Sequence, residues 1–247
     1  MNDKVTLYYD SNPEYEGNLI ESASQIIPDW YKQVPRIFSD KDGSEIPSVK
    51  HCLPFIEALS IGYLILTPED YKVEKRFSQG IFIESENETL GTRNTNDIGN
   101  MPIPAGYNRI QHTWQHRLAI DIPEGYSVLF TNPLNRFDTP FMTFSAVVDG
   151  PYKMPPGGIA FCIRDDFEGV IPAGTPYAQA IPFKRDDFNM VKKEGLVQEA
   201  RGILETIFQK AKNYTEEWTG LKNNYRINSW HKKSYKLDKG KNDELVL

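Results

Sequence analysis

No apolar run in this chain approaches twenty residues, so the sequence offers no helix able to cross a membrane. Its opening, MNDKVTLYYDSNPEYEG, lacks the basic stretch and long apolar core of a secretory leader. Cysteine is almost missing: Cys52 and Cys162 are the whole supply. Neither has a spaced partner of metal-site type, and both sit in apolar surroundings where free thiols are commonly buried. One disulfide between them is open chemically, but two reduced, structural thiols are the expectation. A cytoplasmic or otherwise intracellular location is expected with them, and it leaves room for later assembly into a virus particle. The formal charge of -6 over 247 residues gives no overall attraction to nucleic acid.

What is present is a dense series of short apolar runs from Leu118 to Phe183. LAIDIPEGYSVLFTNP, TFSAVVDGPY and GGIAFCIRDDFEGVIPAGTPYAQAIPF are punctuated by Pro-Glu-Gly, Asp-Gly-Pro, Pro-Gly-Gly and Pro-Ala-Gly. Proline and glycine interrupt each run before a helix of ordinary length could form, so the pattern predicts strands joined by tight turns. A mainly β core follows, long enough to bury a substantial interior.

Around that core the signals are mixed. Val5 to Tyr9 predicts a short strand. Ile26, Ile27, Trp30, Tyr31 and Val34 share one face of a short helix beginning near Pro28, with the two aromatics expected to pack on a sheet. CLPFIEAL predicts a helix from His51 to Leu59, and Ile61 to Leu66 a buried strand. Lys72 to Phe77 and Ile81 to Glu84 read as a hairpin. Ser85 to Pro104 is rich in Asn, Thr, Glu and Gly and reads as a surface loop. A strand over Ile110 to Ile120 is expected to pair across that loop with the hairpin. After Phe183 the apolar spacing turns helical between Leu196 and Trp218, with Gly202 as a weak point. The organisation expected is an αβ segment at 1–60, a β-rich core at 61–189, and a helix with a basic aromatic arm at 190–247.

That last stretch, from Met190, carries twelve Lys/Arg against eight Asp/Glu, leaving -10 on the preceding 189 residues. Tyr225, Arg226, Trp230, His231, Lys232, Lys233 and Tyr235 interleave aromatics with bases, a pattern used on nucleic acid but also suited to clasping an acidic protein surface. The short span and acidic body favour the second use.

Candidate chemistry centres on Asp149. It ends the apolar run Ala146 to Val148 and precedes Gly150-Pro151-Tyr152, so its carboxylate stands at a strand end as a potential general base or as a turn cap bonded to its own backbone. Arg136, in PLNRFDTP, offers a planar donor set to an anion or pairs with Asp138 or another surface carboxylate. His112 and His116 lie four apart and can share a face, but a zinc site would need a third ligand such as His231 or Asp149 and there is no HExxH. Asp165, Asp166 and Glu168 lack EF-hand spacing and read as solvated turn charges.

VLFTNPLNRF through AVVDGPYKM, followed by VIPAGTPYAQAIPF, resembles the strand order and later motifs of the dUTPase and dCTP-deaminase superfamily. That resemblance implies a compact β-clip and, commonly, a trimer. Asp149 and Tyr152 match the aspartate and tyrosine of the family's GVIDxxY-type motif, and Gly174, Ala178 and Gln179 match its later glycine-to-alanine-glutamine strand. Where the family carries an Arg-Ser phosphate motif, this chain has Thr131-Asn132-Pro133-Leu134-Asn135-Arg136, and the glycine-rich closing arm is replaced by NSWHKKSYKLDKG. The wider arrangement, from HCLPFIEALSIGYLI to GYSVLFTNP and VVDGPY, resembles uncharacterised phage and bacterial proteins.

Two functions are therefore expected. The first is a noncatalytic structural or interaction module, phage-associated by resemblance, that self-associates or joins a protein assembly and needs no cofactor. The alternative is a divergent nucleotide or small-molecule hydrolase. It would use Asp149 to activate water and Arg136, Tyr152 and Gln179 to hold a small-molecule substrate, and only under this alternative is Mg2+ a candidate cofactor.

Overall fold

The computed structural model describes residues 5–9, 19–76, 80–87, 89–93, 99, 101–115, 118–154, 158–187, 192, 196–210, 216 and 220. In chain order the first elements are β1 (Thr6–Tyr9), β2 (Ile20–Ser22), α1 (Asp29–Gln33), β3 (Ile37–Ser39), β4 (Glu45–Pro47), α2 (Leu53–Ser60) and β5 (Tyr63–Leu66). There follow β6 (Tyr71–Arg76), β7 (Gly80–Glu84), β8 (Leu90–Arg93), β9 (Gln111–Trp114), β10 (Leu118–Ile122), β11 (Tyr126–Thr131) and β12 (Phe141–Thr143). The series ends with β13 (Ala146–Asp149), β14 (Tyr152–Met154), β15 (Ile159–Ile163), β16 (Gly169–Ile171), β17 (Pro176–Lys184) and α3 (Leu196–Lys210). The protein is mainly β with helical elements toward both ends, as the turn chemistry predicts.

The described residues fall into two compact units. The larger holds those up to Ile26 together with Leu59–Asp186; the smaller holds Ile27–Ala58 and those from Asp187 onward. In the smaller unit, β3 and β4 form a hairpin across the Asp-Gly turn. Pro28 sits just ahead of α1, where its missing N–H costs nothing. Trp30 and Tyr31 pack edge-on and stacked, respectively, against Phe55 of α2. Their expected partner was a sheet; the ring they meet lies instead on the next helix, where CLPFIEAL places an aromatic on its apolar face.

Four antiparallel sheets build the larger unit: β1-β10-β14, β13-β11-β17-β5-β2, β12-β15-β9-β8 and β16-β6-β7. All four contribute to one apolar interior, from Ile120 and Val128 to Tyr71, Phe161 and Ile171. At its centre Trp114 stacks on Phe161 at 3.8 Å and meets the rings of Phe141, Tyr177 and Tyr71. Thr143 donates to the Tyr177 carbonyl at 2.6 Å, which satisfies a hydroxyl that would otherwise be costly inside this cluster.

Two expectations change. Residues 110–120 are not one strand but two, β9 and β10, in different sheets, and the hairpin β6–β7 takes β16 as its neighbour. The reason lies in burial: Gln111, His112, Thr113 and Trp114 are all buried, so β9 is covered on both faces although its letters are polar. Within the polar interval from Ser85, β8 pairs with β9. The turn before it folds around the buried Glu69 carboxylate, which accepts from Ser85 Oγ at 2.8 Å, the Glu86 N–H at 3.0 Å and Thr89 Oγ1. A carboxylate distant in sequence supplies the order that apolar periodicity does not.

Candidate functional site

The five-stranded sheet carries three of the four candidate residues on or beside its strands. Its inner face, with Ile20, Ile65, Val128, Phe130, Ala178 and Ala180, lines the core. Its outer face follows from strand alternation and from the rungs Asp149–Ser127–Phe183, Val147–Leu129–Ile181 and Thr131–Gln179.

Asp149 ends β13, one of the sheet's two outer strands, and is exposed. Its carboxylate accepts a 2.6 Å hydrogen bond from the fully buried Ser127 hydroxyl of β11. The strand continues through Asp149, and the following N–H, of Gly150, is taken by the Tyr126 carbonyl at 2.9 Å. Tyr152 opens β14, whose backbone pairs with Ile122 in a different sheet. Ser127 was not singled out by sequence, although YSVLFT puts it two residues from Leu129 on the same face.

Gln179 is buried on β17 with both ends of its amide on backbone. Its Nε2 donates to the Ile61 carbonyl at 2.6 Å, and its Oε1 accepts from the Leu134 N–H at 2.7 Å. Arg136, expected to meet an anion or a surface carboxylate, is buried, and its guanidinium donates to the Ile26 carbonyl. The turn between Pro133 and Arg136 causes this: Arg136 N–H closes on the Pro133 carbonyl, Asn135 takes a φ of 56°, and the chain folds the arginine inward. Arg136 lines a cavity of about 640 Å³ together with Tyr107, Phe137, Met142, Arg164 and Asp165 among others; Asp149 is not part of its wall.

Gln179 and Asp149 face the same way but stand four residues apart along β11, about 13 Å, and on opposite sides of it, about 10 Å across. Arg136 and Gln179 meet through the Leu134 turn. Asp149 joins neither.

The remaining candidates separate further. Burial holds the His112 imidazole down at about 4 from 6.5, and its Nε2 has no hydrogen-bond partner among the described residues. His116, His231 and the aromatic-basic arm lie outside the described residues. No cluster of three metal-ligating side chains occurs among the described residues. Asp166 pairs with Arg164 at 2.5 Å, and Asp165 accepts from Asn108 at 3.0 Å. Both cysteines are free thiols, but only Cys162 is buried; Cys52 is exposed, contrary to expectation, because it sits in the short link between the turn Val49–His51 and α2. Burial, helped by Asp165, pushes the Cys162 thiol up to about 11, so it is no nucleophile at neutral pH.

Fold and site together define a mainly β protein whose acidic candidate sits on a sheet edge, apart from its proposed helpers. Among known proteins, no family model matches the chain and no curated protein is significantly similar to it.

Proposed function

We propose that this protein is a noncatalytic interaction module whose core is a β-clip-like, dUTPase-like scaffold, working in a self-assembled or phage-associated protein complex. One observation carries the reading: the polar groups that a hydrolase would converge on a substrate are dispersed and taken up by the fold. The Gln179 amide is bonded at both ends to backbone, Arg136 donates to the Ile26 carbonyl, and Asp149 lies about 13 Å along β11 from the level of Gln179. General-base catalysis needs the base within hydrogen-bond reach of the attacking water and the substrate clamp around the same atoms. An exposed carboxylate on an outer strand fits a contact surface better. The hydrolase alternative is tested by a panel of nucleotides with and without Mg2+. The expected result is no turnover; turnover that falls at least about 100-fold in Asp149→Asn would overturn the proposal.

A further inference from the structure

We infer that β13 is the seam of a two-fold dimer, in which two copies of the chain pair edge to edge and antiparallel with Val147 on the axis. The inference rests on the interaction-module reading and names its partner as a second copy. Gly150 N–H donates to the Tyr126 carbonyl, so Gly150, Val148 and Ala146 are the residues whose main-chain groups face β11. Antiparallel alternation then turns the N–H and C=O groups of Ser145, Val147 and Asp149 outward. No strand among the described residues lies on that side of β13.

This edge is short and carries one charge, Asp149, but lacks the lysine, proline and bulge that protect other edges more strongly. Ser145 to Asp149 contains no lysine, proline or glycine; Ser145, Ala146, Val147 and Asp149 are exposed, Val147 to 56 %. The stretch is also complementary to itself. With Val147 on the axis, three opposed pairs form by main-chain hydrogen bonding: Val147 with its copy, and Ser145 with Asp149 twice. Each carboxylate then meets a hydroxyl, and the two carboxylates stay about 13 Å apart. Moving the axis to Asp149 would oppose two like charges. Moving it to Ser145 would require Thr143, which already pairs with Phe161 in another sheet. The chosen register also extends the rung Val147–Leu129–Ile181 across the axis, covering the most exposed large apolar side chain of the sheet.

The test uses the full chain in sedimentation velocity over a dilution series, with Val147→Lys alongside. The wild type should be a dimer. The lysine variant, which opposes two charges on the axis, should weaken association at least about 100-fold while melting like the wild type. Register is read by oxidative trapping in a Cys52→Ser background. Val147→Cys should cross-link, since opposed Cα atoms of such a pair lie about 5.5 Å apart, within disulfide reach. Ser145→Cys alone should not, whereas Ser145→Cys with Asp149→Cys should. A monomeric wild type, a dimer indifferent to Val147→Lys, or cross-linking by Ser145→Cys alone would overturn the inference. A monomer without nucleotide turnover would leave the interaction reading standing with another protein's strand as the occupant, whereas Asp149-dependent turnover would remove that reading itself.

Discussion

The two outer strands of the five-stranded sheet are finished in opposite ways. β2 is buried: Ile20 and Ser22 are about 5 % exposed, the chain before it returns Leu19 O to the Leu66 N–H, and the chain after it ties Ala23 N–H to the Gly62 carbonyl. Arg136 adds a bond to Ile26 three residues on, and Gln179 fixes Ile61 at the head of β5. β13 is tied by Ser127 to Asp149 and, one residue before it, by Ser145 to Thr131 at 2.8 Å; Val148 packs on the core, while Ala146, Val147 and Asp149 are exposed. The lesson concerns polar residues inside a sheet: Gln179, bonded at both ends to backbone, sits toward the closed side, and Asp149, held by a neighbouring hydroxyl, sits at the edge left open.

The contrast is broken most severely at Gly62. It holds a φ of 72°, and an added Cβ would lie 2.3 Å from the Ala180 carbonyl oxygen, a backbone atom that cannot move without opening β17 from β5. Gly62→Val should therefore remove about 4 kcal/mol or more in denaturant unfolding. Gly125, in the turn that enters β11 beside β13, has a φ of 79° but nothing within 4 Å of an added Cβ. Its alanine variant should lose only the left-handed penalty, about 1 kcal/mol.

Acid should act on the whole unit rather than on one edge. His112 is buried neutral, with burial lowering it to about 4 from 6.5. The unfolded chain takes up this proton as pH falls through 6.5 and the folded chain does not until about 4, so stability present above 6.5 is lost across that window. The loss is about 3 kcal/mol in all. Thermal melts between pH 7 and 4 read it, and His112→Phe, a ring beside Phe161, should flatten that part of the profile. An unchanged slope in the variant would assign the acid sensitivity elsewhere.

Gln179→Leu sharpens the comparison from the closed side. It keeps the bulk but orphans the Leu134 N–H and the Ile61 carbonyl, so a loss of about 2 to 3 kcal/mol is expected. Hydrogen exchange should quicken at Leu134 before it does at Val128. Equal protection at both sites would mean that the amide holds no local turn.

How far sequence reaches is visible in these same residues. The strands from β10 to β17 are legible because Pro and Gly mark their ends, and α1 and α2 because their apolar spacing and proline positions agree. β9 is not, since Gln111, His112 and Thr113 look solvent-facing and are buried only because strands cover both faces. β8 is hidden for a related reason: its turn is organised by Glu69. For the candidate site, the strand-end position of Asp149 was readable from AVVDGP. The inward course of Arg136 and the double anchoring of Gln179 were not, because both depend on carbonyls more than a hundred residues earlier in the chain.

The smallest expected effect lies at the open edge and decides what Asp149 does there. Ser127 is fully buried, and its hydroxyl donates to the Asp149 carboxylate at 2.6 Å. Asp149→Ala removes the acceptor that hydroxyl has among the described residues and leaves it unsatisfied against the sheet, which should cost about 1 to 2 kcal/mol. Asp149→Asn keeps an amide oxygen at the same reach, so its cost should stay below about 1 kcal/mol, the difference between a charged and a neutral acceptor. Ser127→Ala removes donor and need together, and a double variant with Asp149→Ala should be no less stable than Asp149→Ala alone. Denaturant unfolding of the four proteins closes the cycle. If the two alanine effects simply add, the bond holds nothing across β11 and β13, and the carboxylate is present for some task other than fastening its strand.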